Sequence, residues 1–140
     1  PQARGTISGM SLSTRPAHVA RAALEAIALQ IGDVLNAIEA DLGVRLPELS
    51  IDGGAARNPL LVQLLADLLD RDIARPRITE ASALGAARLP AEALGSGDPA
   101  PLAVDLFAPA LDPERREAIR ARWRAAIAGV TAGSSQTSLE

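Results

Sequence analysis

The stretch Leu49-Ser-Ile-Asp-Gly-Gly-Ala-Ala-Arg-Asn-Pro-Leu-Leu61 predicts a strand, a glycine turn and a helix in close succession. A short apolar run ends at Asp52-Gly53-Gly54, and Asn58-Pro59 then precedes a strongly apolar segment. Asn caps a helix by accepting hydrogen bonds from N–H groups of the first turn, and Pro at the first helical position has no N–H to leave unpaired. Such junctions lie at the carboxyl edge of open α/β sheets, where ligands bind near the positive end of the helix dipole.

The two adjacent glycines leave two interpretations of this turn open. Gly53 and Gly54 carry no Cβ, so a flat ligand could lie directly against the backbone. Asp-Gly and Gly-Gly pairs also mark ordinary turns that bind nothing. The stretch matches neither the GxGxxG nor the GxxxxGK[ST] pattern of phosphate-binding loops, so a nucleotide here would be held in another way.

The composition indicates one domain and excludes several classes of site. The chain has 140 residues, of which 48% are apolar, enough to fill a core. The absence of Cys excludes disulfides and thiolate sites, and the 14 cationic residues are all Arg. A net charge of −3 gives no reason to expect nucleic acid binding. No apolar run is long enough to span a membrane and no signal peptide is evident, so we expect a cytoplasmic location.

Periodicity predicts a long first helix over Arg15–Leu42. Its apolar residues fall three or four positions apart and form one face: Leu24, Ile27, Ile31, Leu35, Ile38 and Leu42. Thr14 is the expected cap and Gly43 the expected terminator. Gly32, unfavourable inside a helix, suggests a close packing contact.

The rest of the chain predicts the order α-β-α-β-α, then a loop and a C-terminal helix. A buried strand over 47–51, the helix after Asn58, a second strand over 72–75 and a helix over 81–89 would form a parallel α/β unit. Thr79 or Ser82 would cap that last helix, and Pro90 should kink or end it. A Pro/Gly-rich loop over 96–112, a helix over 113–128 and a disordered tail over 129–140 with a cloning remnant would follow. Two strands make a poor sheet, so we expect this to be part of a longer protein.

Four segments in this order resemble the C-terminal part of the FGGY carbohydrate kinases, and the glycerol kinases among them in particular. These segments are Arg4-Gly-Thr-Ile-Ser-Gly9, the run from His18 to Ala28, Ile51-Asp-Gly-Gly-Ala-Ala-Arg-Asn58 and Ala83-Leu-Gly-Ala-Ala87. Phe107-Ala-Pro and Arg120-Ala-Arg-Trp123 extend the resemblance to about residue 128. Two departures are Pro90, where the family continues its last helix, and Arg57-Asn58-Pro59, where glycerol kinases have Ala-Asn-Asn.

The resemblance implies part of an actin-like, ribonuclease-H-like ATPase lobe over residues 1–95, and a kinase that transfers phosphate from ATP with Mg²⁺ to a sugar or polyol. It implies that Gly53, Gly54, Ala55 and Asn58 bind the adenosine end of ATP or ADP. The catalytic Asp, the sugar-binding residues and the phosphate loop would lie upstream of Pro1. We therefore nominate no catalytic residue and no metal ligand in this chain, expect the fragment alone to be inactive, and leave a homodimer or another sugar such as xylulose open.

Several residues also have simpler interpretations. Asp52 could be a catalytic or magnesium-binding carboxylate, although Asp before Gly-Gly usually shapes the turn. His18 has no partner nearby in sequence and is expected to be a surface or packing residue. The five arginines over 115–124 are interleaved with acids and predict a solvated helix face. A different class of function, an interaction or self-association module with open sheet edges, also fits the missing strands.

Overall fold

Helices and strands alternate along the chain, as the sequence pattern predicts. The computed structural model describes residues 5–78, 81–95 and 103–136. Its elements, in chain order, are α1 (Pro16–Leu42), β1 (Glu48–Ser50), a short 3-10 helix (Gly54–Arg57), α2 (Pro59–Leu69), β2 (Asp72–Pro76), α3 (Ala81–Ala93), β3 (Val104–Phe107) and α4 (Pro113–Gln136). Within these ranges no helix combines the length and apolar character needed to cross a bilayer.

The core is built around α2, which contacts α1, β2 and α4. Seven of its eleven residues are buried: Leu61, Val62, Leu64, Leu65, Ala66, Leu68 and Leu69. A helix that is apolar on most of its circumference must be covered on more than one side, because each buried Leu contributes about 1.5–3 kcal/mol. Ala28, Leu29 and Leu35 of α1 and Ile73 of β2 supply that cover.

Two glycines of α1 have the roles that the sequence predicts. A Cβ built on Gly32 would lie 2.9 Å from Cδ2 of Leu69, so the missing side chain lets α1 approach α2. Gly43 ends the helix with φ of 69°, and its N–H donates to the carbonyl of Glu39. The start of α1 differs from the prediction: Arg15, not Thr14, is the N-cap residue, and its N–H donates to Nδ1 of His18 at 3.2 Å. Thr14 instead accepts a hydrogen bond from the N–H of Ser11.

In the part of the chain that the structure describes, the sheet has three strands in the order β1-β2-β3, one more than the sequence predicts. β1 and β2 are parallel, with Leu49 opposite Ile73, and β3 pairs antiparallel with β2. The expectation of a loop over 96–112 is therefore wrong for residues 104–107; residues 96–102 lie outside the described residues. β3 forms there because Val104 and Phe107 favour extended structure and because the Asp105 carboxylate binds two arginines of the neighbouring segment.

α3 runs through Pro90, and α4 is longer than predicted. α3 continues past Pro90 to Ala93, because the N–H of Leu94 donates to the Pro90 carbonyl and keeps the last turn closed. α4 continues to Gln136, so the prediction of disorder is wrong for 129–136. There the Thr131 hydroxyl donates to the carbonyls of Ile127 and Ala128 in the preceding turn. The candidate cap Thr79 and the remnant at 138–140 lie outside the described residues.

The arginines of α4 do not form a uniformly solvated face. Arg116 is buried, and it donates to the carbonyls of Asp67 and Leu111 and pairs with Asp70 at 2.7 Å. Arg120 donates to the carbonyl of Leu68. The reason is that α4 packs across the carboxyl end of α2, whose last carbonyls have no partner within the helix. The indole Nε1 of Trp123 also donates to Asp33 of α1 at 2.8 Å.

Candidate functional site

The glycine turn joins the carboxyl end of β1 to the amino end of α2 through the 3-10 helix. Gly53 has φ of 87° and ψ of −178°, a conformation that residues with a Cβ rarely adopt. Its carbonyl accepts the N–H of Ala56 at 3.2 Å, and the N–H of Asn58 donates to the carbonyl of Ala55 at 3.1 Å. The turn is therefore fixed by backbone bonds and by a conformation that favours glycine at position 53.

Asn58 caps α2 as the sequence predicts. Its Oδ1 accepts the N–H of Leu60 at 3.0 Å and of Leu61 at 3.4 Å, and Pro59 has no N–H. The carbonyl of Asn58 accepts the next donor, the N–H of Val62. The N–H groups of Leu60, Leu61 and Val62 are therefore all engaged by Asn58, and the atom of the Asn58 side chain that can still bind a ligand is the donor Nδ2.

The backbone of the turn is open to solvent. A Cβ built on Gly53 or on Gly54 meets no atom within 4 Å, and Ala55 and Asn58 are exposed. The four residues nominated from the sequence thus lie together on one segment, in which Gly53 is half-buried and the other three are exposed. A planar group fits against this surface, because no side chain projects from either glycine.

Beside the turn, a cleft of about 290 Å³ separates it from the end of β2 and from β3. Its lining residues are Asp52, Gly53, Ala56, Arg57, Arg75, Pro76, Arg77, Ile78 and Asp105. Because β1 and β2 are parallel, their carboxyl ends meet here, at the edge where α/β sheets bind ligands.

Two arginines of this cleft share one carboxylate. Nη2 of Arg75 lies 2.8 Å from Oδ2 of Asp105, and Nε of Arg77 lies 2.8 Å from its Oδ1. The hydrogen bonds from Arg75 first and Arg77 second lower the pKa of Asp105 below its ordinary value. Nη1 of Arg75 also donates to the carbonyl of Ala56 at 3.1 Å, and its guanidinium lies 5.0 Å from the centroid of the Phe107 ring. Arg75 thereby ties the 3-10 helix to the sheet.

Sequence reasoning missed this cluster. Arg75 and Arg77 are two positions apart on an extended segment, so they lie on one face. This spacing could have predicted that the two arginines lie together. Asp105 could be added only by assigning Val104–Phe107 to a strand. Asp52 lines the cleft as an exposed residue, and its carboxylate makes no hydrogen bond to any described residue, so the backbone rather than this side chain shapes the turn.

His18 and the acidic residues that the structure describes do not form a catalytic or metal-binding cluster. His18 is exposed at the start of α1, where it accepts the N–H of Arg15, in keeping with the surface role expected from the sequence. Among residues 5–78, 81–95 and 103–136, no group of three or more His, Cys, Asp or Glu side chains could hold a metal ion.

A separate apolar hollow of about 480 Å³ lies between α1 and β1, an edge strand of the sheet. It is lined by Ile27, Gln30, Ile31, Val34, Leu35, Ile38, Leu49, Ser50 and Ile51. Val34 is 61% exposed, and the three isoleucines of α1 are each more than 40% exposed. An apolar face of this kind is typical of a surface that another protein segment covers.

About two thirds of the chain matches one family of known proteins. The model of the C-terminal domain of the FGGY family of carbohydrate kinases matches residues 1–94, which include α1, β1, the glycine turn, α2 and β2. The chain belongs to this family. Its β1–turn–α2 junction, with Gly53, Gly54 and Asn58, lies inside the matched FGGY domain, whereas β3 and α4 follow it.

Individual FGGY relatives agree with the family match. The glycerol kinase of Dechloromonas aromatica is 50% identical over 133 residues, which are 91% of this chain and 26% of that protein. The glycerol kinase of Chromobacterium violaceum is 56% identical over 93 residues, or 66% of this chain and 19% of the relative. This chain thus spans about a quarter or less of the length of the curated relatives.

Solved structures give the same fold. Glycerol kinase from Plasmodium falciparum with ADP superposes with a TM-score of 0.83 at 27% identity, covering 92% of this chain and 27% of that one. Xylulose kinase from Rhodospirillum rubrum gives a TM-score of 0.76 at 28% identity, covering 94% of this chain and 28% of that one. The chain therefore has the α/β fold of an FGGY kinase, a member of the actin-like ATPases.

Proposed function

We propose that this chain is the C-terminal part of an ATP-dependent sugar or polyol kinase of the glycerol kinase type. The observation that carries the proposal is the side-chain-free backbone of Gly53 and Gly54, exposed at the carboxyl edge of the sheet within the matched FGGY domain. The superposition on a glycerol kinase bound to ADP supports a nucleotide as the ligand of this domain.

In this proposal the turn forms the wall against which the adenosine end of ATP or ADP lies. Gly53, Gly54 and Ala55 offer backbone with at most a methyl group, and Nδ2 of Asn58 can donate to an acceptor on the base. The Oδ1 of Asn58 stays engaged with the N–H groups of Leu60 and Leu61. Asn58 would thus fix the start of α2 and contact the ligand with the same side chain.

Phosphoryl transfer requires further groups outside this chain. ATP supplies the phosphoryl group, and Mg²⁺ on its phosphates would be held by the phosphates and by another part of the protein. We place the catalytic carboxylate and the sugar-binding residues in that other part as well. Positioning from both sides of the cleft is needed for transfer, so the fragment alone should show no turnover.

The test is a kinase assay on the full-length protein that contains this chain. We expect ADP formation with glycerol and MgATP, with a higher kcat/KM for glycerol than for D-xylulose. Asn58→Ala should raise the apparent KM for ATP by about three- to tenfold, because it removes one hydrogen bond to the nucleotide. Asn58→Ser is the matched variant, because Ser keeps the cap acceptor and lacks the amide donor.

The expected result is a similar rise in KM for both Asn58 variants, with the melting temperature of Asn58→Ser close to that of the unaltered protein. An unchanged KM for ATP in both variants would remove Asn58 from the nucleotide site. No ADP formation with any polyol or sugar would contradict the kinase proposal itself. Because ATP is the proposed phosphoryl donor, we place the protein in the cytoplasm.

A second candidate function, self-association, is favoured by the apolar hollow between α1 and β1. We propose that another segment of the full-length protein covers this face, since the relatives are far longer than this chain. In the isolated chain a second copy would cover it and form a homodimer. Light scattering of the isolated chain over a wide concentration range tests the homodimer, because a constant monomer mass excludes it.

A further inference from the structure

Arg57 is the last residue of the 3-10 helix and lies next to the candidate nucleotide wall. In a 3-10 helix, residues three positions apart lie on the same side. Arg57 therefore projects from the same side as Gly54, whose missing Cβ leaves open space. The side chain also lines the cleft together with Gly53.

The guanidinium of Arg57 is available for a ligand. Among residues 5–78, 81–95 and 103–136 it forms no ion pair and donates no hydrogen bond, whereas Arg75 and Arg77 both bind Asp105. The lining of the cleft contains three arginines against two carboxylates, Asp52 and Asp105. The excess of arginine in the cleft favours an anionic ligand, and the planar guanidinium of Arg57 suits a flat aromatic ring.

We propose that Arg57 is a nucleotide-binding residue that stacks its guanidinium on the base at the adenosine end of the nucleotide. A guanidinium is planar and weakly hydrated, so it stacks on aromatic faces. The volume of about 290 Å³ is close to the lower end of the range for small-molecule pockets. The glycine backbone and Arg57 lie side by side along the cleft, so a flat ring can lie over both.

This inference rests on the proposed function and adds to it the residue that holds the base. Arg57 is exposed and its side chain bonds to no described residue, so its replacement should leave folding intact. Arg122 on α4 is a matched control, because it is also exposed and lies outside the cleft. Gly54→Ala serves as the reference for the turn itself.

The experiment measures the Kd of Mg-ADP and of AMP for the full-length protein and its variants by calorimetry. Arg57→Ala should raise both Kd values by the same factor, about three- to tenfold, because a contact with the base does not depend on the number of phosphates. Arg122→Ala should leave both Kd values unchanged.

Each other outcome overturns the inference in a recognisable way. A loss of affinity for ADP with none for AMP would assign Arg57 to the terminal phosphate and contradict stacking on the base. Unchanged Kd values in Arg57→Ala, with weaker binding in Gly54→Ala, would reject Arg57 and keep the nucleotide site. Unchanged values in both variants would reject Arg57 and the turn together.

Discussion

The carboxyl end of α2 lies under arginines from several segments, whereas its amino end has one Asn cap and borders an open turn. At the carboxyl end, carbonyls of residues 67–70 accept hydrogen bonds from Arg116, Arg120, Arg71 and Arg45. At the amino end, Asn58 and Pro59 account for the first N–H groups without help from another segment. Both ends are satisfied, and the amino end borders the glycine turn, where Gly54, Ala55 and Asn58 are exposed.

The two ends of α2 therefore have different roles, the carboxyl end in stability and the amino end in binding. Guanidinium groups provide several donors and suit the negative end of the helix dipole, so they fix α2 to α4 and to the loop after α1. The compact cap at the other end keeps side chains away from the turn. Substitutions at the carboxyl end should therefore change stability, and substitutions at the turn should change binding.

Arg116→Ala should have the largest effect on stability. It removes an ion pair with Asp70 and leaves the carbonyl of Asp67 without its charged donor, at a cost of about 2–3 kcal/mol. Arg115→Ala is the control, since its exposed side chain lies on the same helix and should change stability by less than about 0.5 kcal/mol. Urea unfolding of both variants makes the comparison, and equal stabilities would show that the arginines do not anchor α2.

Asn58→Ala should have a smaller effect, because the amino end depends on a single side chain. Loss of the cap to Leu60 and Leu61 is expected to cost about 1 kcal/mol, whereas Asn58→Ser should be nearly neutral. The same urea experiment measures both. If Asn58→Ala lowered the free energy of unfolding as much as Arg116→Ala, the claim that the carboxyl end of α2 is anchored more strongly than the amino end would be contradicted.

Acid should destabilise the surroundings of both ends of α2, in each case by protonating one carboxylate. Hydrogen bonds from Arg71 and from the N–H of Leu46 lower the pKa of Glu39 from its ordinary value of 4.5, and Arg75 and Arg77 lower that of Asp105 from 3.8. A lowered pKa means that the stabilisation is complete above the ordinary value and is lost as the pH falls through the folded-state value. We expect the free energy of unfolding to be level down to about pH 5 and to fall progressively below that.

Replacement of each acid by its amide tests the assignment. In Glu39→Gln and in Asp105→Asn the decline of stability below about pH 5 should be shallower than in the unaltered protein. Glu39 is connected to the carboxyl end through Arg71, and Asp105 to the turn through Arg75. An unchanged pH profile in one variant would show that its carboxylate does not couple folding to pH.

The sequence predicts the elements whose signals are local. The three- and four-residue spacing of apolar residues predicts α1, and Asn58-Pro59 predicts the start of α2 with its cap. The close contact at Gly32 was also foreseen, since a glycine inside a helix suggests a packing reason. The two helix predictions depend on neighbours within one or two helical turns, whereas the glycine predicts a contact without identifying its partner, Leu69.

Features that depend on distant residues were missed. β3 is four residues long in a Pro- and Gly-rich region, and its pairing partner lies some thirty residues earlier. The roles of Arg116 and Arg120 depend on carbonyls 49 and 52 residues away, so charge pattern alone suggested a solvated face. The cleft was missed for the same reason, because Asp105 reaches it only through β3.

The most direct test of the central claim is the affinity of Gly54→Ala for Mg-ADP in the full-length protein. The new methyl group would enter open space at an ordinary backbone conformation, so the melting temperature should not fall. If the adenosine end lies on this backbone, the methyl group should raise the Kd by about tenfold or more. A Kd equal to that of the unaltered protein, at the same melting temperature, would contradict the assignment of this turn as the nucleotide wall.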